Sequence, residues 1–141
     1  MRTIKFRGKL IGETLPLGLN KGDWWTGFYY EDLHCGEWKS FIKCGELDLE
    51  VDKDTVGQFT GLLDKNGKEI YEGDIIRSYD SNGETITHYI EWKERDAVYR
   101  ATNIKYPLLG GWAYQDWIDE FEKEIIGNVF VTPNNLKTET L

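Results

Sequence analysis

This sequence predicts an all-β fold, mainly antiparallel and barrel-like, with one short amphipathic helix near the C-terminal end. Three observations carry the prediction: runs of β-branched and aromatic residues recur along the chain, turn residues separate them at short intervals, and helical periodicity is confined to one stretch. An alternating α/β architecture is not expected.

Thr3 to Ile11 reads as extended, and it is expected to pair with the aromatic run Trp24 to Tyr30, which follows the turn-like Asn20-Lys21-Gly22-Asp23. Trp38 to Cys44 is set off by Gly36 and Gly45 as a further strand. Leu47-Asp48-Leu49-Glu50-Val51 alternates apolar with acidic, the rhythm of a half-buried strand whose apolar face points inward. Between Thr55 and Ile76, Gly57, Gly61, Gly67 and Gly73 divide the chain into short extended pieces, and Asp64-Lys65-Asn66-Gly67 has tight-turn composition. Two strands joined by a turn are expected there.

Ile70 to Tyr79 and Thr85 to Lys93 flank Asp80-Ser81-Asn82-Gly83, whose Asn-Gly pair is a strong hairpin signal. Ala97 to Ile104 supplies another strand. From Trp112 to Glu124, Ala113, Trp117, Ile118 and Phe121 recur at helical spacing beside Asp116, Asp119, Glu120 and Glu122, so an amphipathic helix is expected. Ile125 to Phe130 then reads as a buried final strand, and Asn134 to Leu141, beyond Pro133, as a fraying tail. No internal repeat or linker divides the chain, which reads as one domain over 1–141 with a lobe boundary placed near residues 52 to 55.

With 141 residues the chain can bury a sizeable core, and its six Trp, eight Tyr and six Phe are the expected bulk of it. The net charge of −8 argues against a nucleic-acid partner unless basic residues such as Lys5, Arg7, Lys9, Arg95 and Arg100 share one face. No apolar run is long enough to span a membrane, and Met1 to Arg7 has no apolar segment after its charges. A cytoplasmic location is expected. Two cysteines, Cys35 and Cys44, are too few for a disulfide framework, and with His34 and His88 their spacing does not suit a zinc site. No metal or other cofactor is expected.

The segment Thr55-Val56-Gly57-Gln58-Phe59-Thr60-Gly61-Leu62, followed by Asp64-Lys65-Asn66-Gly67-Lys68-Glu69-Ile70-Tyr71-Glu72-Gly73-Asp74-Ile75, closely resembles the signature of the YopX protein family. Ile126-Gly127-Asn128-Val129-Phe130 with Pro133 and Leu136 is similar to that family's closing strand and tail, and Ile4-Lys5-Phe6-Arg7 fits its start. Within Leu10 to Phe41 and Ile86 to Glu124 no residue-by-residue match is found. The resemblance implies a β-rich, barrel-like fold carried by bacteriophages or prophages, acting inside the bacterial host cell, with no established activity.

The candidate chemistries are few. Asp64-Lys65-Asn66-Gly67-Lys68 lacks the ligand spacing of a calcium loop, because Gly67 falls fourth rather than sixth. Asp48, Glu50, Asp52 and Asp54 could gather a cation from one strand face, although solvated outward carboxylates are the expected reading. Glu72 and Asp74 form the best carboxylate pair for a small hydrolase or nucleotide-processing enzyme, with His34 or His88 as base. The competing reading makes Gly73-Asp74 the bend that launches the next strand, a step found in small SH3-like barrels. No nucleophile elbow, phosphate-cradling loop or paired His-Glu motif is present.

Trp24, Trp25, Phe28, Tyr29 and Tyr30 give the one positive functional suggestion. Side chains alternate faces along a strand, so these five cannot all enter one core unless both faces are covered. The expected function is a non-enzymatic protein-binding or regulatory module that presents aromatics to a host or phage protein, or to a second copy of itself. A nucleic-acid-binding barrel is the remaining alternative.

Overall fold

A computed structural model of the chain describes residues 3–130. The fold is mainly antiparallel β with one short α-helix, and neither sheet closes on itself as a barrel among the described residues. Two compact units divide the chain, Met1–Phe59 and Thr60–Leu141.

In the first unit, β1 (Phe6–Lys9), β2 (Trp24–His34), β3 (Glu37–Cys44) and β4 (Leu47–Val51) lie in the order β4-β3-β2-β1, and the first residues of β5 (Gly57–Leu63) pair with β1. The expected pairing of the N-terminal strand with the aromatic run is seen, with Phe6 opposite Gly27 and Lys9 opposite Trp24. β2 runs four residues past Tyr30, because Cys35 and Gly36 both take positive φ, 51° and 84°, and so make the two-residue turn whose twist suits a continuing hairpin. Gly27 permits close approach of β3: a Cβ there would lie 2.2 Å from the Lys43 carbonyl oxygen. Leu10, Ile42 and Val51 form the buried centre of this unit, with Phe6, Leu15, Leu19, Trp25, Tyr29, Leu49 and Val56 packed around them.

A short 3-10 turn, Lys53–Thr55, leads from β4 toward β5. The Asp52 carboxylate caps it by accepting the Asp54 amide at 3.0 Å, and Thr55 Oγ1 accepts the Lys9 amide at 2.9 Å.

The second unit contains the remainder of β5 and β6 (Glu69–Tyr71), then β7 (Asp74–Tyr79), β8 (Thr85–Lys93), β9 (Val98–Asn103), β10 (Gly110–Trp112), α1 (Gln115–Asp119) and β11 (Glu124–Asn128). β7 to β11 form a sheet of order β10-β9-β8-β7-β11. Ile70, Ile76, Ile90, Tyr99, Ala101 and Ile118 are its buried core, with Leu62, Ala113, Trp117 and Ile125 against them.

Two hairpin turns in this unit repeat one construction, although no internal repeat is evident from periodicity. In Asp64–Lys68 and in Asp80–Glu84 the first amide donates to the fifth carbonyl (2.8 and 2.9 Å), and the Gly67 or Gly83 amide donates to the aspartate carbonyl (2.9 and 3.0 Å). Each aspartate Oδ1 then accepts the amides two and four residues on, at 2.8 to 2.9 Å. Gly67 and Gly83 have φ of 77° and 81°, the left-handed position of a three-residue loop with a bulge. Asp64 goes further: buried, it also accepts the Ile125 amide at 3.1 Å, tying the hairpin to β11.

The helix is shorter than its sequence pattern predicts. Residues 110–112 are taken by β10, and the Ala113 amide extends that ladder by donating to the Tyr99 carbonyl at 2.9 Å, so helix begins only at Gln115. It ends in a 3-10 turn, Glu120–Glu122, after which Lys123 donates its ammonium to the Glu120 carbonyl at 2.7 Å. The expected tail at Asn134 to Leu141, with Pro133 and Leu136, lies outside the described residues.

Replacing Asp64 with Ala removes the acceptor of three amides, two of them in the turn and one in β11, and is expected to destabilise the fold by about 3 kcal/mol. The same change at Asp80, which serves two exposed amides, should cost about 1 kcal/mol. Urea unfolding followed by circular dichroism measures both, and equal effects would refute the special role of Asp64.

Candidate functional site

Register decides which aromatics of β2 are available. Trp25 and Tyr29 point to the core of the first unit: the Trp25 indole Nε1 donates to the Ile42 carbonyl at 3.0 Å, and the Tyr29 ring lies 5.5 Å from that of Phe6. The Tyr29 hydroxyl donates to Glu31 at 2.7 Å and lies 3.2 Å from Ser40 Oγ. Its burial raises its pKa. These two residues hold the sheet together.

Trp24, Phe28 and Tyr30 occupy the opposite face. Cross-strand pairing places Arg7 beside Thr26, Lys9 beside Trp24, Lys43 beside Phe28 and Phe41 beside Tyr30 on that same face. The Arg7 guanidinium and the Lys9 ammonium both lie over the Trp24 ring, 4.5 and 5.4 Å from its centroid. Phe28 is 69% exposed. Tyr30 stacks on Phe41 with centroids 5.4 Å apart and 18° between planes, and its hydroxyl donates to Asp48, a bond that pushes its pKa up to about 12.

Beyond Ser40, which pairs with Val51, the β2–β3 hairpin has no partner strand on either side among the described residues, where β1 pairs with Trp24 to Gly27. On this ribbon Leu33 and Trp38 face each other, 54% and 70% exposed. Sequence reasoning missed Trp38, Phe41 and Leu33 as surface groups; their signal was there as apolar residues flanking the Cys35-Gly36 turn, but only the register tells which face each takes. A second exposed apolar stretch was also missed: Tyr106, Leu108, Leu109, Trp112 and Tyr114 in the second unit.

One of the two carboxylate candidates, Asp74, has structural work. Asp74 is buried and accepts the Tyr71 amide at 2.8 Å, closing the turn into β7. A pocket of about 290 Å³ in the second unit is lined by Asp80, Glu84, Thr85, Ile86, Thr87, Asn103, Lys105 and Tyr106, and by neither Glu72 nor Asp74. Asp48 and Glu50 share a face of β4, engaged with Tyr30 and, at 3.9 Å, with Lys39, whereas Asp52 and Asp54 belong to the 3-10 turn. Cys35 and Cys44 are exposed at opposite ends of β3. No group of three or more His, Cys, Asp or Glu among the described residues could hold a metal ion. Lys5, Arg7 and Lys9 fall in the first unit and Arg95 and Arg100 in the second, where Arg100 donates to the Leu108 carbonyl at 3.3 Å.

His34 is exposed beside Asp32 at 3.4 Å. His88 is different. Its Nδ1 is buried with no hydrogen-bond partner among the described residues, its ring meets Trp117 edge-on at 5.3 Å, and the Lys123 ammonium sits 4.5 Å from the centroid of that same indole. Burial, then Lys123, lowers the His88 pKa to about 4, so this imidazole is neutral at pH 7 and packs as an aromatic.

A family model described as YopX protein matches residues 16–137. The chain belongs to the YopX family. The match begins after Ile4 to Arg7, and it includes all of Ile86 to Glu124 and, from Pro16 on, the region up to Phe41 in which individual motif residues are not recognisable. No curated protein matches the chain. Among the described residues no helix is long and apolar enough to cross a membrane.

The unfolded chain protonates His88 near its ordinary 6.5 and the folded chain only near 4, so the fold loses stability as pH falls through that window and the loss levels off below it. The contribution is at most about 3 kcal/mol. Unfolding free energies at pH 7 and pH 4.5 should show a smaller difference in His88→Leu than in wild type; identical differences would mean that His88 is not the group responsible.

Proposed function

We propose that this YopX-family chain is a non-enzymatic protein-recognition module, working in the bacterial cytoplasm in a phage or prophage context. The observation that carries the reading is the β2–β3 hairpin, which presents Phe28 on one face and Leu33 with Trp38 on the other, all more than half exposed. Large apolar side chains concentrated on one projecting element are the kind of anchor that interface centres use. The turn-closing role of Asp74 supports a binding rather than a catalytic reading, since this member of the Glu72–Asp74 pair accepts a backbone amide.

The test is capture of proteins from host extract by the tagged chain, identification of the partner, and rebinding of that partner in purified form. Trp38→Ser and Leu33→Ser, both at solvent-facing positions, should weaken rebinding by at least about tenfold while leaving the circular dichroism spectrum unchanged. Leu108→Ser with Trp112→Ser serves as the comparison arm in the second unit. Rebinding that survives the hairpin changes and is lost in the comparison arm would move the recognition surface to residues 106–114.

A further inference from the structure

The pocket of about 290 Å³ in the second unit holds opposite charges that do not meet. One rim is the Asp80–Glu84 turn, closed by its own backbone and by Asp80 Oδ1, which accepts the Asn82 and Glu84 amides. The other rim is the loop that follows β9. There the Tyr106 amide donates to Asn103 Oδ1 at 2.9 Å, the Leu109 amide to the Tyr106 carbonyl at 2.8 Å, and the Ile104 amide to the Thr87 carbonyl of β8 at 3.0 Å. Among the described residues Asp80 Oδ2 and the Glu84 carboxylate accept no hydrogen bond, and Lys105 forms no ion pair; its ammonium lies 5.3 Å from the Tyr106 ring centroid. Each rim is fixed by hydrogen bonds of its own, so the charges are held ready for a ligand instead of neutralising one another.

We propose that this pocket binds a free basic amino acid. Two carboxylates, Asp80 and Glu84, and one ammonium, Lys105, line it. A basic amino acid at pH 7 carries the complement, two cationic groups and one carboxylate. Its cations meet Asp80 and Glu84, its carboxylate meets Lys105, and its methylene stem lies against Ile86 and the half-exposed Tyr106 ring. The volume sits at the small end of the range for small-molecule sites, which suits a ligand of this size. A nucleotide fits less well, because its phosphates would face the two carboxylates. A bare metal ion is poorly served, since no third His, Cys, Asp or Glu joins them among the described residues and Lys105 repels it. The site belongs to the second unit and is independent of the β2–β3 hairpin.

Isothermal titration calorimetry of the full chain at low ionic strength tests the assignment with three compounds. These are L-arginine; agmatine, which lacks the carboxylate; and Nα-acetyl-L-arginine, which lacks the α-ammonium and stands in for an arginine at the end of a peptide. L-arginine is expected to bind with a Kd below about 1 mM, and each of the others at least about tenfold more weakly. Glu84→Gln should weaken L-arginine by at least about tenfold. Lys105→Glu should reverse the preference, so that agmatine binds more tightly than L-arginine. Both side chains are exposed and neither closes a turn, so the circular dichroism spectrum should not change.

L-arginine that gives no saturable heat with wild type overturns the assignment. Binding that neither substitution changes overturns it as well, because the compound then sits elsewhere. Agmatine as tight as L-arginine in wild type removes the role of Lys105 and the assignment with it; that comparison needs no variant and decides the matter if a substitution disturbs the fold. Nα-acetyl-L-arginine as tight as L-arginine overturns the free amino acid in favour of a peptide ending in arginine.

Discussion

The two-residue alternation of side chains along β2 sets the character of the first unit. Trp25 and Tyr29 fall on one side of the strand and are consumed by the core, one through a hydrogen bond to Ile42 and the other through Phe6 and Ser40. Trp24, Phe28 and Tyr30 are thereby forced to the other side, whatever their hydrophobicity. A slip of one residue in the pairing with β3 would exchange the two sets. Gly27 helps to fix that register, since any side chain there would collide with the Lys43 carbonyl. The set of aromatics on the outward face is thus a by-product of how the core is filled.

The outer aromatics are not left bare. Two cations cover Trp24, Phe41 covers one face of Tyr30, and Asp48 engages its hydroxyl, so Phe28 alone of the three is mostly open to water. Such arrangements reduce the cost of exposed rings while keeping the face flat and charged at its margins. On the ribbon's other face Leu33 and Trp38 sit opposite each other across the strands. These two faces differ in chemistry.

Much of the fold was legible because turns announce themselves. Asp64-Lys65-Asn66-Gly67 and Asp80-Ser81-Asn82-Gly83 both close hairpins, as their composition predicts, and Leu47 to Val51 is the strand its alternation describes. What sequence could not supply was long-range pairing. The helical pattern from Trp112 is real, yet Arg100 claims Trp112 for a strand, and nothing local in the sequence says so. The same limit applied to the site: five aromatics were visible as a dense run, but separating Trp25 and Tyr29 from the rest needed the positions of Ile42 and Phe6, and adding Phe41 and Trp38 needed the β3 register.

The residues that carry the family resemblance, Thr55 to Ile75, can now be assigned physical work one at a time. Asp64 organises a turn and accepts the Ile125 amide, Gly67 takes the left-handed conformation that the turn needs, Gly73 donates to the Ile90 carbonyl at 2.7 Å, and Asp74 caps the chain before β7. Each of these roles is satisfied by backbone within the protein. A segment whose polar groups are spent on the chain's own amides can specify a fold tightly while remaining indifferent to what the protein binds. The β2–β3 hairpin lies outside this segment and turns large side chains such as Phe28, Leu33 and Trp38 to the solvent, so its chemistry can change without disturbing the turns that build the scaffold.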